Sequence, residues 1–482
     1  MRHSLLAVRR PDAARLTCHL ALLCGALAIA SPTAAVPSAS HALHMGPAQV
    51  QWFAAGYQLC AGPLQLGAGG LADRLGPRRV LLGALAVFAA GSFLATVAVH
   101  APCLIAARLL QGTGGAALSP VSLALLLSLH SASGREDRAV AGWVSTAAVA
   151  SCLGPLLGGS LTSLLGWRGV FGALAVLASL TACRARSLPA PHRDPKAPMP
   201  LDALGIALCT GAGAAILITF TAATAHSAAF STAAALSSAV LLPLLVRQTR
   251  SHSHPALDAG LLRRAPARRA LLALFTLFAA NSAFHFLAYF HLSGAHSLSP
   301  VQAALVALPA TLPAVIASRL AVARSAHRHG PALIRAGLLC VAAGLLVATA
   351  GCRRPTPLWL LSGGYVLVGC GLGLANGAAM TTVTRHRAVH LTSRATATAT
   401  TFAMLGGASG PVAAGAALAI AAHLPFGRGA PSGDLPAAAL TTGASGGIQQ
   451  GVTVGFHASL VLIALGTAAA AFALGRRARL DR

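Results

Sequence analysis

An all-helical membrane bundle of fourteen spans is the fold this sequence predicts, and three observations predict it. Of the 482 residues, 56% are hydrophobic and only 9% charged, against about 25% charged in an average soluble protein. Apolar runs of about 20 residues recur along the chain, each long enough as a helix to cross a hydrocarbon core of about 30 Å. The basic residues are segregated as well. Of 35 Lys and Arg, thirty fall in alternate connecting segments and only Arg168, Arg353, Arg354 and Arg428 fall in the others, with Arg108 inside a span. The spans must be helices, because a helix in lipid satisfies its own backbone hydrogen bonds. The charge split puts the basic segments in the cytoplasm, which requires both termini inside and an even number of spans.

The runs begin near Leu16, Ala48, Val80, Pro102, Ala139 and Trp167, then near Leu201 and Ala229, then near Ala270, Pro300, Pro331, Pro357, Ala395 and Val452. The first run, Leu16 to Ala30, follows Arg2, Arg9, Arg10 and Arg15, and Ala34-Ala35 has the look of a cleavage region. Removing it would leave an odd number of spans and invert the charge topology, so it is read as a span. Between the second and third runs lies a tight basic loop with Gly69, Asp73, Arg74, Gly76, Arg78 and Arg79. The fourth run contains Arg108, Gln111, Gly112, Gly114 and Gly115; the fifth contains Gly154-Pro155 with Gly158 and Gly159.

An internal repeat divides the chain. Gly76-Pro77 returns as Gly330-Pro331, and Gly154-Pro155 with Gly158 returns as Gly410-Pro411 with Gly415, at nearly the same offset. Two six-span halves with two extra spans between them follow, a recurrent plan in transporters. The predicted divisions are a cytoplasmic N-terminus over 1–15, a first half over 16–186, and a linker with the extra pair over 187–269. A second half over 270–475 and a tail over 476–482 complete the chain. Two longer links stand out: polar, Pro-rich Arg184 to Pro200, and Gly/Ser/Pro-rich Pro425 to Gly451.

Composition excludes several functions. The net charge of +26 is distributed by membrane topology, not as a nucleic-acid surface. The ten cysteines are scattered without a CxxC and read as small packing residues, giving neither a disulfide framework nor a metal site. No cofactor motif and no buried nucleophile with a base is visible, so an enzyme is not expected. Abundant Gly and Ala allow close helix contact.

Arg108 is the residue that bears most on mechanism. A cation at membrane depth is costly and either faces a cavity or partner or snorkels to the interface. Asp73 beside its arginines reads as a charge lock that closes one state of a moving bundle. Pro155 removes a backbone donor and bends its helix. His285, one turn after Asn281 on the same face, is the candidate for a titrating group inside a span; the alternative is a histidine hydrogen-bonded between helices. Gln58, Asn281 and Asn376 are the polar residues assigned to a cavity.

These motifs resemble the major facilitator superfamily of secondary transporters. Gly69-x-x-x-Asp73-Arg74-x-Gly76 is similar to its signature loop, and Arg108-x-x-Gln111-Gly112-x-Gly114-Gly115 to its fourth-helix motif. Gly154-Pro155-Leu156-Leu157-Gly158-Gly159 is similar to the motif that marks exporters, especially antiporters. Trp167-Arg168 with Phe171, His254-Pro255-Ala256-Leu257-Asp258 and Gly455-Phe456-His457 are similar to the fourteen-span drug:proton antiporter branch. The resemblance implies proton-coupled efflux of small organic drugs or antibiotics across the cell membrane. It implies a role for Arg108 in proton transfer, and the expected partners are substrate, protons and lipid, with the protein a monomer. One departure matters. The branch commonly carries an acid in its first span ahead of Ala-x-Pro; here Ala35-Val36-Pro37 is present but Ala28 occupies the acid's place. None of the nine acids falls mid-span, which disfavours a strongly cationic substrate and leaves open a facilitator, another coupling mode, or a sensor with this fold.

Overall fold

The computed structural model describes residues 11–130, 136–188, 202–224, 228–252, 255–324, 330–350, 356–384, 389–423 and 446–480. Among these residues every regular element is a helix. The N-terminal helix α1 (Pro11–Ala30) runs through a tight 3-10 stretch, Ser31–Ala35, into α2 (Val36–Ala42). Five long helices follow: α3 (Pro47–Leu75), α4 (Pro77–Thr96), α5 (Ala101–His130), α6 (Glu136–Leu165) and α7 (Trp167–Ala185). Then come α8 (Ala203–Thr224), α9 (Ala228–Ser251) and the short α10 (Ala259–Arg263). The remainder is α11 (Ala265–Gly294), α12 (Pro300–Ala307), α13 (Thr311–Arg324), α14 (Gly330–Val347), α15 (Leu358–Thr384), α16 (Val389–His423) and α17 (Gly446–Leu480).

Eleven of the described helices are long and apolar enough to cross a membrane, α1 to α2 and α12 to α13 each counting as one, and twelve if α6 with its bend is included. α8 holds a shorter apolar stretch, Ala203–Thr219. Helices α11, α16 and α17 begin five or six residues before the apolar runs at Ala270, Ala395 and Val452. The flanking residues of α11 and α16 include arginines, good helix formers that carry the helix past the hydrocarbon edge. Two turns require glycine. Gly76 joins α3 to α4 at φ +89° and Gly166 joins α6 to α7 at φ +73°, a region that β-carbons disfavour.

Contacts between helix ends define two faces. At the arginine-rich face Arg78 donates to the carbonyl of Arg186, tying the start of α4 to the end of α7. On the same face Arg394 donates to Pro255 O. At the opposite face Arg168 Nη2 donates to Ala98 O at 2.8 Å, and Thr356 shares a hydrogen bond of 2.8 Å with His457. Of the extra pair, α8 lies against the α3–α16 seam, where Leu217 joins Ala55, Leu59, Ala408 and Val412 in a small apolar cluster, and α9 packs on α8.

That seam carries a pattern the sequence reading had only in part. Gln51, Gln58 and Gln65 recur every seven residues along α3, so they share one stripe. Gln58 sits over Gly407 and Gln51 over Gly415, each amide end occupying the space a Cβ would take; Gln65 donates to Thr401 Oγ1 at 3.4 Å, which in turn donates to Gly62 O at 2.8 Å. The N-terminal residues 1–10, most of the link to Pro200, His254 and most of the loop from Pro425 lie outside the described residues.

Candidate functional site

A cavity of about 440 Å³ lies between α1, α3, α5 and α6 on one side and α11, α12, α13, α15 and α16 on the other. Phe53, Phe278, Phe286 and Val368 supply apolar wall. Gln58, Asn281 and Asn376, assigned to a cavity from sequence, all line it, as do His285, Pro155 and Arg108. Its charged lining residues are Arg108 and Arg319, and no acid is among the described lining.

Arg108 is held by neutral groups. Its Nη1 donates to Ala28 O at 3.1 Å, its Nε to Phe53 O at 3.5 Å, and Nη1 also to Gln111 Oε1. Gln111 passes its amide on to Ser92 Oγ at 2.8 Å. The rings of Tyr57, Phe53 and Phe171 stand 5.1, 5.9 and 5.9 Å from the guanidinium carbon, within cation–π range. The Ala28 contact has a cause in sequence. A helical carbonyl accepts from the N–H four residues on, and Pro32 has none. The Ala28 carbonyl, without that donor, therefore accepts a hydrogen bond from Arg108, at the position where the resembled branch would carry an acid. Sequence reasoning marked Ala28 as a loss; the signal that its backbone could substitute was Pro32, and it was missed. The arginine does not snorkel: it is 2% exposed.

The glycines of both motifs are places of close backbone approach. A side chain at Gly112 or Gly115 would strike Tyr57, and one at Gly114 would strike the α4 backbone at Phe88. On α6, Gly154 and Gly158 receive Ala30 and Ser31 of the first span, whereas Gly159 faces across the cavity, where a Cβ would lie 2.6 Å from Pro300 O. Val301 N donates to Ser163 Oγ at 3.3 Å beside it. The α6–α12 contact thus joins the two halves beyond the cavity, toward the arginine-poor face. On α16 the echo behaves alike: Gly410 receives Ser282 of α11, and Gly415 faces Gln51 of the opposite half.

The Asp73 loop stands differently from the charge lock expected. Asp73 makes none of the described ion pairs, in contrast to Asp12, which pairs with Arg15 at 3.0 Å. Arg78 turns to the end of α7 instead; the predicted loop shrinks to Gly76, because Gly69, Asp73 and Arg74 lie in the last turns of α3 and Arg78 and Arg79 in the first turn of α4. His285 uses Nδ1 on the carbonyl of Asn281 at 2.9 Å and sets its ring edge against Tyr365, centroids 5.2 Å apart. It is therefore both at the cavity and tied to its own helix.

Two acids that sequence reasoning left without roles turn out to organise the arginine-rich face. Asp202 accepts from Gly205 N and Gln248 Nε2, each at 2.8 Å, and from Ala256 N at 2.9 Å. Burial alone would raise its carboxyl, but these donors and nearby His252 outweigh burial and hold it below the ordinary carboxylate range. Asp258 caps α10 by accepting from Leu261 N at 3.1 Å, and its own N–H donates to Thr398 of α16 at 3.2 Å.

Residues 18–411 match the family model described as Major Facilitator Superfamily. The chain is 36% identical over 295 residues to the multidrug efflux pump LfrA of Mycolicibacterium smegmatis, covering 60% of this chain and 58% of that one. It is 30% identical over 308 residues to the drug efflux pump JefA of Mycobacterium tuberculosis, covering 62% and 59%. It is also 30% identical over 383 residues to the puromycin resistance protein pur8 of Streptomyces alboniger, covering 78% and 75%. The alignment thus spans a little under three fifths of the first two relatives. Among solved structures, a bacterial homologue of the human lysosomal transporter Spinster, inward-facing and occupied, superposes with a TM-score of 0.65 at 14% identity over 96% of this chain and 97% of that one. The POT family transporter PepTSo does so at 0.63 and 15% over 97% and 99%. At such identities the likeness is one of fold.

Proposed function

Because the chain belongs to the Major Facilitator Superfamily, we propose that it exports small organic compounds, drugs or antibiotics among them, by alternating access. It is a multi-pass plasma-membrane protein and a transporter, not an enzyme. The observation that carries the export reading is the cavity between the halves, shut at the arginine-poor face by Gly159 against Pro300 and reaching Arg319 toward the other. The names of the relatives, drug efflux pumps and a puromycin resistance protein, support the direction of transport.

Counting α3 and α8 with the helices that pass on length and apolarity gives fourteen spans, arranged six, two and six in a monomer. Both termini are then cytoplasmic, the arginine-rich face is the inner face, and this is a state open to the inside. Asp73 is unpaired in it. In this reading the Asp73 lock, with Arg74, Arg78 and Arg79 nearby, forms when the inner face closes, and Arg108 with Gln111 and His285 carries proton coupling. Expression in cells lacking their own pumps tests this: accumulation of a transported compound falls, and a protonophore restores it. Unchanged accumulation for every compound of a broad screen rejects export. A second reading, coupling by another gradient or facilitated exit, is favoured by the acid-free cavity lining; there the compound still leaves after the protonophore.

A further inference from the structure

We infer that the cavity takes an amphipathic organic anion, a carboxylate or comparable acid on an aromatic or aliphatic body, and discriminates against cations. The inference rests on the cavity's being the transport site and narrows what passes through it.

The charges of the lining carry the argument. Arg108 and Arg319 both line the cavity, and no acid does among the described residues. Arg108 is buried and its described partners are all neutral: two carbonyls, an amide oxygen and three aromatic faces. Its desolvation is thus already incurred, with no counter-anion to repay it. Nη2 makes none of the described hydrogen bonds, which leaves a charge-assisted donor on the cavity wall. Arg319, on α13 near its arginine-rich end, is exposed and likewise has no described hydrogen bond or ion pair. One cation therefore sits at the mouth, where it draws anions by long-range attraction, and one sits at depth, where an anion is received in a low dielectric. A bound cation would meet two like charges with no acid to offset them. The neutral amides of Gln58, Asn281 and Asn376 supply further donors, and Phe53, Phe278 and Phe286 supply the surface for an apolar body. The volume of about 440 Å³ suits one small organic molecule.

Three probes with one ring system test this: naphthylacetate, neutral naphthylacetamide and naphthylethylammonium. Their binding to the purified full-length protein in lipid nanodiscs is measured at neutral pH, then their efflux from expressing cells. The expected result is that naphthylacetate binds at least about tenfold more tightly than the amide, the size of one charge-assisted hydrogen bond, and that the ammonium binds most weakly. Arg319→Gln should shrink the preference for naphthylacetate over the amide and flatten its salt dependence; Arg108→Gln, if it folds, should abolish the preference. Equal or tighter binding of the amide or the ammonium overturns the inference, as does an acetate preference that both substitutions leave unchanged. Should Arg108→Gln fail to fold, Arg319→Gln alone decides. Selective binding of naphthylacetate without efflux of any compound would reject the export reading and keep the anion site. Efflux confined to the ammonium would do the reverse.

Discussion

Arg108 illustrates how one missing N–H can replace an acid. Pro32 frees the Ala28 carbonyl, and a carbonyl dipole then sits where a carboxylate is expected. A dipole cannot take up a proton, so the guanidinium is left for a substrate or for coupling to neutralise. Arg108→Ala should abolish export in an accumulation assay, and export at the wild-type rate in that variant would remove Arg108 from the mechanism. Gly112 gives a purely steric counterpart. Gly112→Ala drives a methyl into the Tyr57 backbone and should cost about 1–3 kcal/mol by overpacking, read as a lower midpoint of thermal unfolding. An unchanged midpoint would mean that α3 and α5 adjust freely. Asp202 yields a pH dependence. Its folded carboxyl titrates below its unfolded value of about 3.9, so its contribution is full above that pH and is lost as pH falls through the folded value. Asp202→Asn should therefore be less stable than the wild type at neutral pH and show a smaller further loss on acidification. A parallel pH profile in the two proteins would refute this.

Helices α6 and α16 play matching parts. Each uses one pair of small residues to seat the first helix of its own half, Ala30 against Gly154 and Ser282 against Gly410, and a later glycine to meet the opposite half. Such contacts depend on bare backbone, since lipid gives helices no hydrophobic reason to associate. Gly159→Val puts a branched side chain where even a Cβ lies 2.6 Å from Pro300 O. It should pry α6 from α12 and raise labelling of a cysteine placed at buried Thr162 by a membrane-impermeant thiol reagent from outside. No gain in labelling would show that the close approach of Gly159 does not hold that face shut. The glutamine stripe on α3 has no such pair of tight backbones; its amides lie over glycines of α16, where they can be exchanged as the seam shifts.

In the proposed reading the bundle has one face shut and the other reached by its cavity. Alternating access requires the shut face to part. Ser163 and Val301, already joined by a hydrogen bond of 3.3 Å, should crosslink when both are cysteine and exposed Cys183 is replaced. Oxidation should stop export and reductant restore it. Export that persists through complete crosslinking would rule out movement at this contact.

Much of this was written in the chain itself. Runs of apolar residues and the segregation of arginines fix helices and their alternation, because hydrocarbon tolerates little else and each such signal is local. Gln58, Asn281 and Asn376 were marked for a cavity because polar groups inside apolar runs need somewhere to go; Arg108 and His285 were marked for proton coupling, and that they line the same cavity came only from the structure. What remained was relational. No local pattern shows that Ala28 O faces Arg108, that Gln51 and Gln58 lie over glycines of α16, or that Asp202 gathers Gln248 and Ala256. Nor could spacing tell that Asp73 stands apart from its neighbouring arginines in this state. Those outcomes depend on which helices meet and in which conformation. The sequence by itself determined a basic-faced helical membrane bundle with one uncompensated arginine. Only the tertiary structure decided which partners that arginine has and where α6 meets α12, because both are set by contacts between residues far apart in the chain.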